Sequence, residues 1–189
     1  MLFLVRHGQT AANAAGLLLG RSDPALNELG RRQARAIADA LPAPSQVIAS
    51  PLGRARETAA AFGQAVEIDE RWVEMDYGDL DGQQPGSVTD EFWARWRADP
   101  SFAPPGGESL AAVGDRVRDA CMELADAADD RDVVVVSHVS PIKAAIAWAL
   151  GVTDAVAWRM FVADAAVARI NTGPPAPLLM SFNEVVPCR

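Results

Sequence analysis

Cysteine, histidine and long apolar runs are all scarce in this 189-residue chain, and each scarcity excludes something. Two cysteines, Cys121 and Cys188, make neither a disulfide framework nor a metal cluster. Cys121 falls in an amphipathic stretch and reads as a small buried apolar residue. No apolar run is long enough to span a bilayer. The apolar N-terminal stretch is too short for a secretory signal and lacks a basic region and a cleavage site, so a cytoplasmic location is expected. Lys and Arg number 17 against 25 Asp and Glu, a formal net charge of −8. That balance argues against a broad basic face, and neither nucleic acid nor membrane is an expected partner. It leaves room for an anionic substrate, because a few focused arginines can dominate a cleft.

Half of the residues are hydrophobic and 22% are charged, a globular composition that fits one domain over residues 1–189. Leu2 to Val5 reads as a buried strand. Thr10 to Ala15 suits a short helix, and Gly16 to Ala25 a loop. Asn27 is placed to cap a helix running to about Leu41, where Pro42 and Pro44 stop it. Gln46 to Ala49 is a second strand. Ser50-Pro51 then opens a helix, with proline at its first position, that continues to Phe62. Val66 to Ile68 is a third strand, and a polar loop covers Glu74 to Gly86. Val88 to Ala98 reads as a helix with Phe92, Trp93 and Trp96 on one side. The segment at about 78–108 is thus a helical insertion. After a proline-glycine linker, Ser109 caps a helix from Leu110 to about Ala128. Asp132 to Ser137 carries four consecutive valines, the pattern of a strand buried on both faces. Ser140-Pro141 opens a further helix that ends near Gly151, and strands are expected near Val167 to Asn171 and Leu178 to Phe182. The strand-helix alternation predicts an α/β fold, a three-layer αβα sandwich on a mostly parallel central sheet.

Four stretches carry candidate chemistry. Arg6-His7-Gly8 ends the first strand, and His138, the second of only two histidines, ends the valine strand. Ligands of open α/β sheets bind at such carboxyl ends. A solvated strand end for His7 and a core-satisfied imidazole for His138 are the plain alternatives. Thr10 and Asn13 can donate to an oxyanion above the strand, or serve local caps and turns. Ser50 to Thr58 opens a helix toward the same side, and a helix N-terminus favours anions. Arg54 projects from its first turns. Glu74 stands in an acidic loop with Asp76, Asp79 and Asp81, which read as solvated. No ligand spacing supports a metal site.

In order along about residues 1–150, these pieces resemble the histidine phosphatase superfamily, the phosphoglycerate mutase-like clan. The matching residues are Arg6-His7-Gly8-Gln9-Thr10 with Asn13, Asp23-Pro24 with Leu26, Gly30 and Gln33-Ala34, Ser50-Pro51 with Arg54-Ala55 and Thr58, Glu74 with Gly78 and Asp81-Gly82, Gly107-Glu108-Ser109 and Ser137-His138. The resemblance implies a phosphoglycerate mutase-like fold and a role for each position. His7 is the nucleophile that becomes phosphohistidine. Arg6, Arg54 and His138 surround the phosphoryl group, Asn13 and Thr10 add contacts, and Glu74 is the proton donor. Many relatives follow the second histidine with glycine where this chain has Val139-Ser140. The Val139 backbone N–H is still within reach of a phosphate.

Phosphoryl transfer spreads charge over three equatorial oxygens, which two arginines and a second histidine suit without a metal or cofactor. The expected function is a metal-independent phosphomonoesterase acting on a small phosphorylated metabolite. A cofactor-dependent phosphoglycerate mutase-type phosphotransferase and a non-catalytic phosphate-binding module are the alternatives. The short insertion between Glu74 and Glu108 favours the phosphatase. Arg95 and Arg97 are expected on an exposed helix face. Leu17 to Leu19, Met75, Tyr77, Trp93 and Trp96 belong either to the mouth of the site or to the core. The tail from Pro174 pairs as an edge strand or packs against a second copy in a homodimer.

Overall fold

The computed structural model describes residues 1–129 and 131–188, those at 126–129 by backbone alone. Six strands form one sheet: β1 (Leu2–Arg6), β2 (Gln46–Ala49), β3 (Val66–Ile68), β4 (Val133–Ser137), β5 (Ala166–Asn171) and β6 (Leu178–Val185). Their spatial order is β3-β2-β4-β1-β5-β6. The first four strands pair in parallel. β5 and β6 add an antiparallel edge, so the sheet is mostly parallel, as expected.

Residue choice explains the centre. Every residue of β4 is buried, as a strand covered on both faces requires, and its valines suit the extended backbone. Side chains alternate between two cores. Leu2, Leu4, Val133 and Val135 pack toward α5 (Leu110–Asp129) and α6 (Val139–Leu150). Phe3, Val5, Val134 and Val136 pack toward α2 (Glu28–Ala40) and α3 (Gly53–Ala60). The sheet is therefore the middle of three layers. Burying each such side chain contributes about 1.5–3 kcal/mol.

The helix ends follow local chemistry. Asn27 Oδ1 accepts from the Gly30 N–H at 2.8 Å and starts α2. Ser109 Oγ accepts from the Ala112 N–H at 3.1 Å and starts α5. Gly151, at φ +64°, closes α6 in the left-handed conformation that glycine adopts freely. Thr89 caps α4 (Asp90–Ala98), which lies inside the insertion. Thr10 caps α1 (Ala11–Ala14). Two starts differ from expectation. Pro51 is not the first residue of α3; the helix begins at Gly53, because Asp23 accepts from the Gly53 and Arg54 N–H groups at 2.6 and 3.3 Å. α6 begins at Val139 rather than at Ser140, with Pro141 inside its first turn, where a missing N–H costs no intrahelical bond. Among the described residues no helix is long and apolar enough to cross a membrane.

Candidate active site

The register of the sheet builds the site. β1 pairs Arg6 with Ser137 of β4, and β2 pairs Ala49 with Val136. The next residues, His7, His138 and Ser50, therefore leave three neighbouring strands side by side at their carboxyl ends. The His7 N–H donates to the Ser137 carbonyl and the Ser50 N–H to the Val136 carbonyl, both at 3.0 Å. The two imidazoles are buried, with ring centroids 5.0 Å apart.

His7 Nδ1 lies 2.7 Å from the Gly8 carbonyl oxygen. Only a donor can face a carbonyl, so Nδ1 carries the proton and Nε2 the lone pair. Nε2 accepts from Arg54 Nε at 3.2 Å. Burial, with the Arg6 and Arg54 charges beside it, holds the imidazole well below its usual pKa and so neutral. Gly8 permits this geometry: a Cβ there would collide with the backbone of Gly30 on α2. The Gly8 N–H donates to Thr58 Oγ1 at 3.0 Å, tying the loop to α3.

Arg54 is fully buried, and all its nitrogens are engaged. Nη1 donates to the Ser22 carbonyl at 2.6 Å and Nη2 to the Gly20 carbonyl at 2.8 Å. The loop that supplies these carbonyls is held by Asp81, which accepts from the Gly20 and Ser22 N–H groups at 2.9 and 2.7 Å. Asp81, read from sequence as solvated, is thus a structural clamp. Arg6 donates from Nη1 to the Val162 carbonyl at 2.7 Å and pairs through Nη2 with Asp164 at 2.8 Å. Its buried Nε has no partner.

Glu74 follows the short turn Glu70–Trp72 and is buried. It accepts from the Met75 N–H at 2.8 Å and, at the start of α6, from the Val139 N–H at 3.0 Å and the Ser140 N–H at 3.1 Å. The Val139 N–H, expected on a phosphate, is therefore engaged by Glu74, because a helix N-terminus attracts whichever carboxylate is nearest. The same holds at α3, whose N-terminus faces Asp23 rather than open space. Thr10 is also corrected. Its hydroxyl is fully buried in the α1 capping box, accepting from the Asn13 N–H at 3.2 Å and donating to Asn13 Oδ1 at 2.8 Å. It has no surface to offer an anion. Asn13 does line the pocket, and with Oδ1 turned to Thr10 its NH2 is the group it can offer.

His138 Nε2 lies 2.7 Å from Ser50 Oγ, and its Nδ1 is buried without a partner. Ser50, Thr58 and Asp81 stood in the recognised stretches, but their support of the site depends on contacts made across the sheet and was not legible there. Arg6, His7, Asn13, Glu74, Tyr77 and Val139 line one open cavity of about 100 Å³. Among the described residues no group of three or more His, Cys, Asp or Glu side chains could hold a metal ion. The positive groups around His7 Nε2 are guanidinium groups, which match the flat, three-oxygen face of a phosphoryl group.

A second cavity, of about 100 Å³, adjoins the first through Leu18, Tyr77 and Val139. Trp93, Trp96 and Trp158 wall it. Trp93 stacks on Trp96 with centroids 5.4 Å apart, and Trp158 meets Trp96 edge-on at 5.4 Å. Tyr77 and Met75 line it, Met75 being at the same time part of the core, whereas Trp158, far off in sequence, was not foreseen. Arg95 and Arg97 are exposed, as expected, and lie over Phe102 and Trp93 at 4.2 and 5.4 Å from the ring centroids.

Known proteins share this sequence and shape. The chain is 38% identical over 159 residues to a bifunctional protein of Mycobacterium tuberculosis, matching 79% of this chain and 44% of that protein. It thus spans less than half the length of that relative. It is 37% identical over 171 residues to the glucosyl-3-phosphoglycerate phosphatase of Mycolicibacterium vanbaalenii, covering 79% of this chain and 74% of that one. The solved mycobacterial glucosyl-3-phosphoglycerate phosphatase in complex with VO3 superposes with a TM-score of 0.86 at 32% identity, over 96% of this chain and 98% of the other. The family model for the histidine phosphatase superfamily, branch 1, matches residues 2–185, and the chain belongs to that family.

Proposed function

We propose that this chain is a metal-independent phosphomonoesterase for small phosphorylated metabolites, working through a phosphohistidine at His7. The observation that carries this reading is the pair of bonds on one ring. Gly8 holds the proton on Nδ1, and Arg54 faces the Nε2 lone pair. A neutral, oriented imidazole backed by a guanidinium is a nucleophile set where a phosphoryl group's charge would be met.

The arriving phosphoryl group takes the Arg54 Nε–H away from Nε2, the freed Nε2 lone pair attacks phosphorus in line, and the bond from phosphorus to the ester oxygen breaks. Arg6, Arg54 and the His138 Nδ1–H hold the equatorial oxygens, with the Asn13 NH2 at the rim. Glu74 gives its proton to the departing alkoxide. In the second step Glu74 takes a proton from water, the hydroxide oxygen bonds to phosphorus, and the P–N bond breaks, returning Nε2. The relatives named as phosphatases support the hydrolytic outcome.

Rapid quench of the enzyme with a 32P-labelled phosphomonoester tests it. Acid-labile, base-stable phosphoenzyme should form within one turnover. It should be absent, with turnover lost, in His7→Ala. Phosphate release by His7→Ala at the wild-type rate would end the covalent route.

A further inference from the structure

The chain has a single lysine among its 17 basic residues, and that lysine, Lys143, lines the tryptophan-walled cavity. It lies on α6 one turn beyond Val139 and Ser140, whose N–H groups hold Glu74, so it projects from the same helix face. It is half-buried, and among the described residues it has neither an ion-pair partner nor a hydrogen bond. An ammonium drawn out of water without a counter-charge is an unfavourable arrangement that an incoming anion relieves. Burial lowers the Lys143 pKa, while the field of Glu74 raises it and that of Arg6 lowers it, which places the ammonium in the field of the phosphate-side groups. The buried indole N–H groups of Trp96 and Trp158 are also without partners in this wall.

We propose that Lys143, with Trp93, Trp96 and Trp158, forms the leaving-group subsite and selects phosphomonoesters whose alcohol carries a carboxylate beside an apolar or ring-shaped face. One ammonium matches a carboxylate monoanion. A second phosphate, doubly charged, asks for more donors than the cavity offers. The indoles supply flat apolar surface for a ring. The inference rests on the phosphatase reading, and its test separates the two.

Two ester pairs differ only in a carboxylate against a hydroxymethyl group: 3-phosphoglycerate with glycerol 3-phosphate, and 4-carboxyphenyl phosphate with 4-(hydroxymethyl)phenyl phosphate. The wild-type kcat/KM should favour the carboxylate by about tenfold or more in at least one pair, the size expected of a charge-assisted bond. In Lys143→Met that ratio should fall to about one. A wild-type ratio near one in both pairs, with all four esters hydrolysed, overturns the subsite and leaves the phosphatase standing. So does a Lys143→Met ratio equal to wild type. Failure to hydrolyse any ester overturns both readings. Because the lysine is single, reductive methylation with 13C-formaldehyde marks one side chain besides the N-terminus. Its NMR resonance should shift with 3-phosphoglycerate and not with glycerol 3-phosphate. Equal responses overturn the proposal without recourse to a variant.

Discussion

Ser50 Oγ and His138 Nε2 lie 2.7 Å apart, and this contact governs what the second imidazole can offer. The Ser50 oxygen also accepts from the Leu52 N–H at 3.3 Å, and the proposed role of His138 as a phosphate donor requires the Ser50 hydrogen to point to Nε2. The His138 proton is then on Nδ1, the buried nitrogen that has no protein partner. A donor prepared in this way is ready for a phosphoryl oxygen.

Removing the hydroxyl should free the imidazole to carry its proton on either nitrogen. Ser50→Ala should lower kcat/KM by about tenfold or more, the size expected when a buried polar partner is lost. Steady-state kinetics beside a thermal melt checks this. A stable variant with full activity would remove Ser50 from the site's support.

Glu74 is buried at the start of α6, opposite no other carboxylate within the pocket lining. If it protonates the leaving alkoxide, need for it depends on the alcohol. Glu74→Gln should slow an alkyl ester by about 10² or more and p-nitrophenyl phosphate far less, because nitrophenolate leaves unaided. Equal losses on both esters would deny it the proton.

Both histidines are held well below their ordinary pKa by burial and neighbouring positive charge. In the unfolded chain each binds a proton at about pH 6.5, while the folded protein does not until lower pH. The unfolded state then holds more protons below that value, so the histidines' contribution to stability is full above pH 6.5 and declines as pH falls. The slope should approach about 1.4 kcal/mol per pH unit for each histidine between pH 6.5 and 5. Urea denaturation in phosphate-free buffer measures it, and His7→Ala should show roughly half the slope. An unchanged slope would mean that His7 is solvated.

The strands and the recognised stretches were legible because their signals are local. The valine run of β4 can satisfy itself only in a sheet covered on both faces, and Asn27 and Ser109 cap helices through bonds within three residues. The family pattern named His7, Arg54, Glu74 and His138 in the same way. The Thr10 hydroxyl and the Val139 N–H have other partners than the expected phosphate because short polar groups and helix N-termini take whichever partner folding brings, here Asn13 and Glu74. Pro51 was misplaced for the same reason, since Asp23 from a distant loop set where α3 starts.

By itself the sequence determined the layered α/β fold and the candidate side chains of the site, because periodicity and motif order are properties of the chain. Only the tertiary structure decided which nitrogen of His7 carries the proton, what holds Arg54, and that the single lysine lines one cavity with three indoles from α4 and the turn at Asp154–Arg159. Those outcomes depend on strand register and on loops meeting across the sheet, and no spacing along the chain encodes such distances.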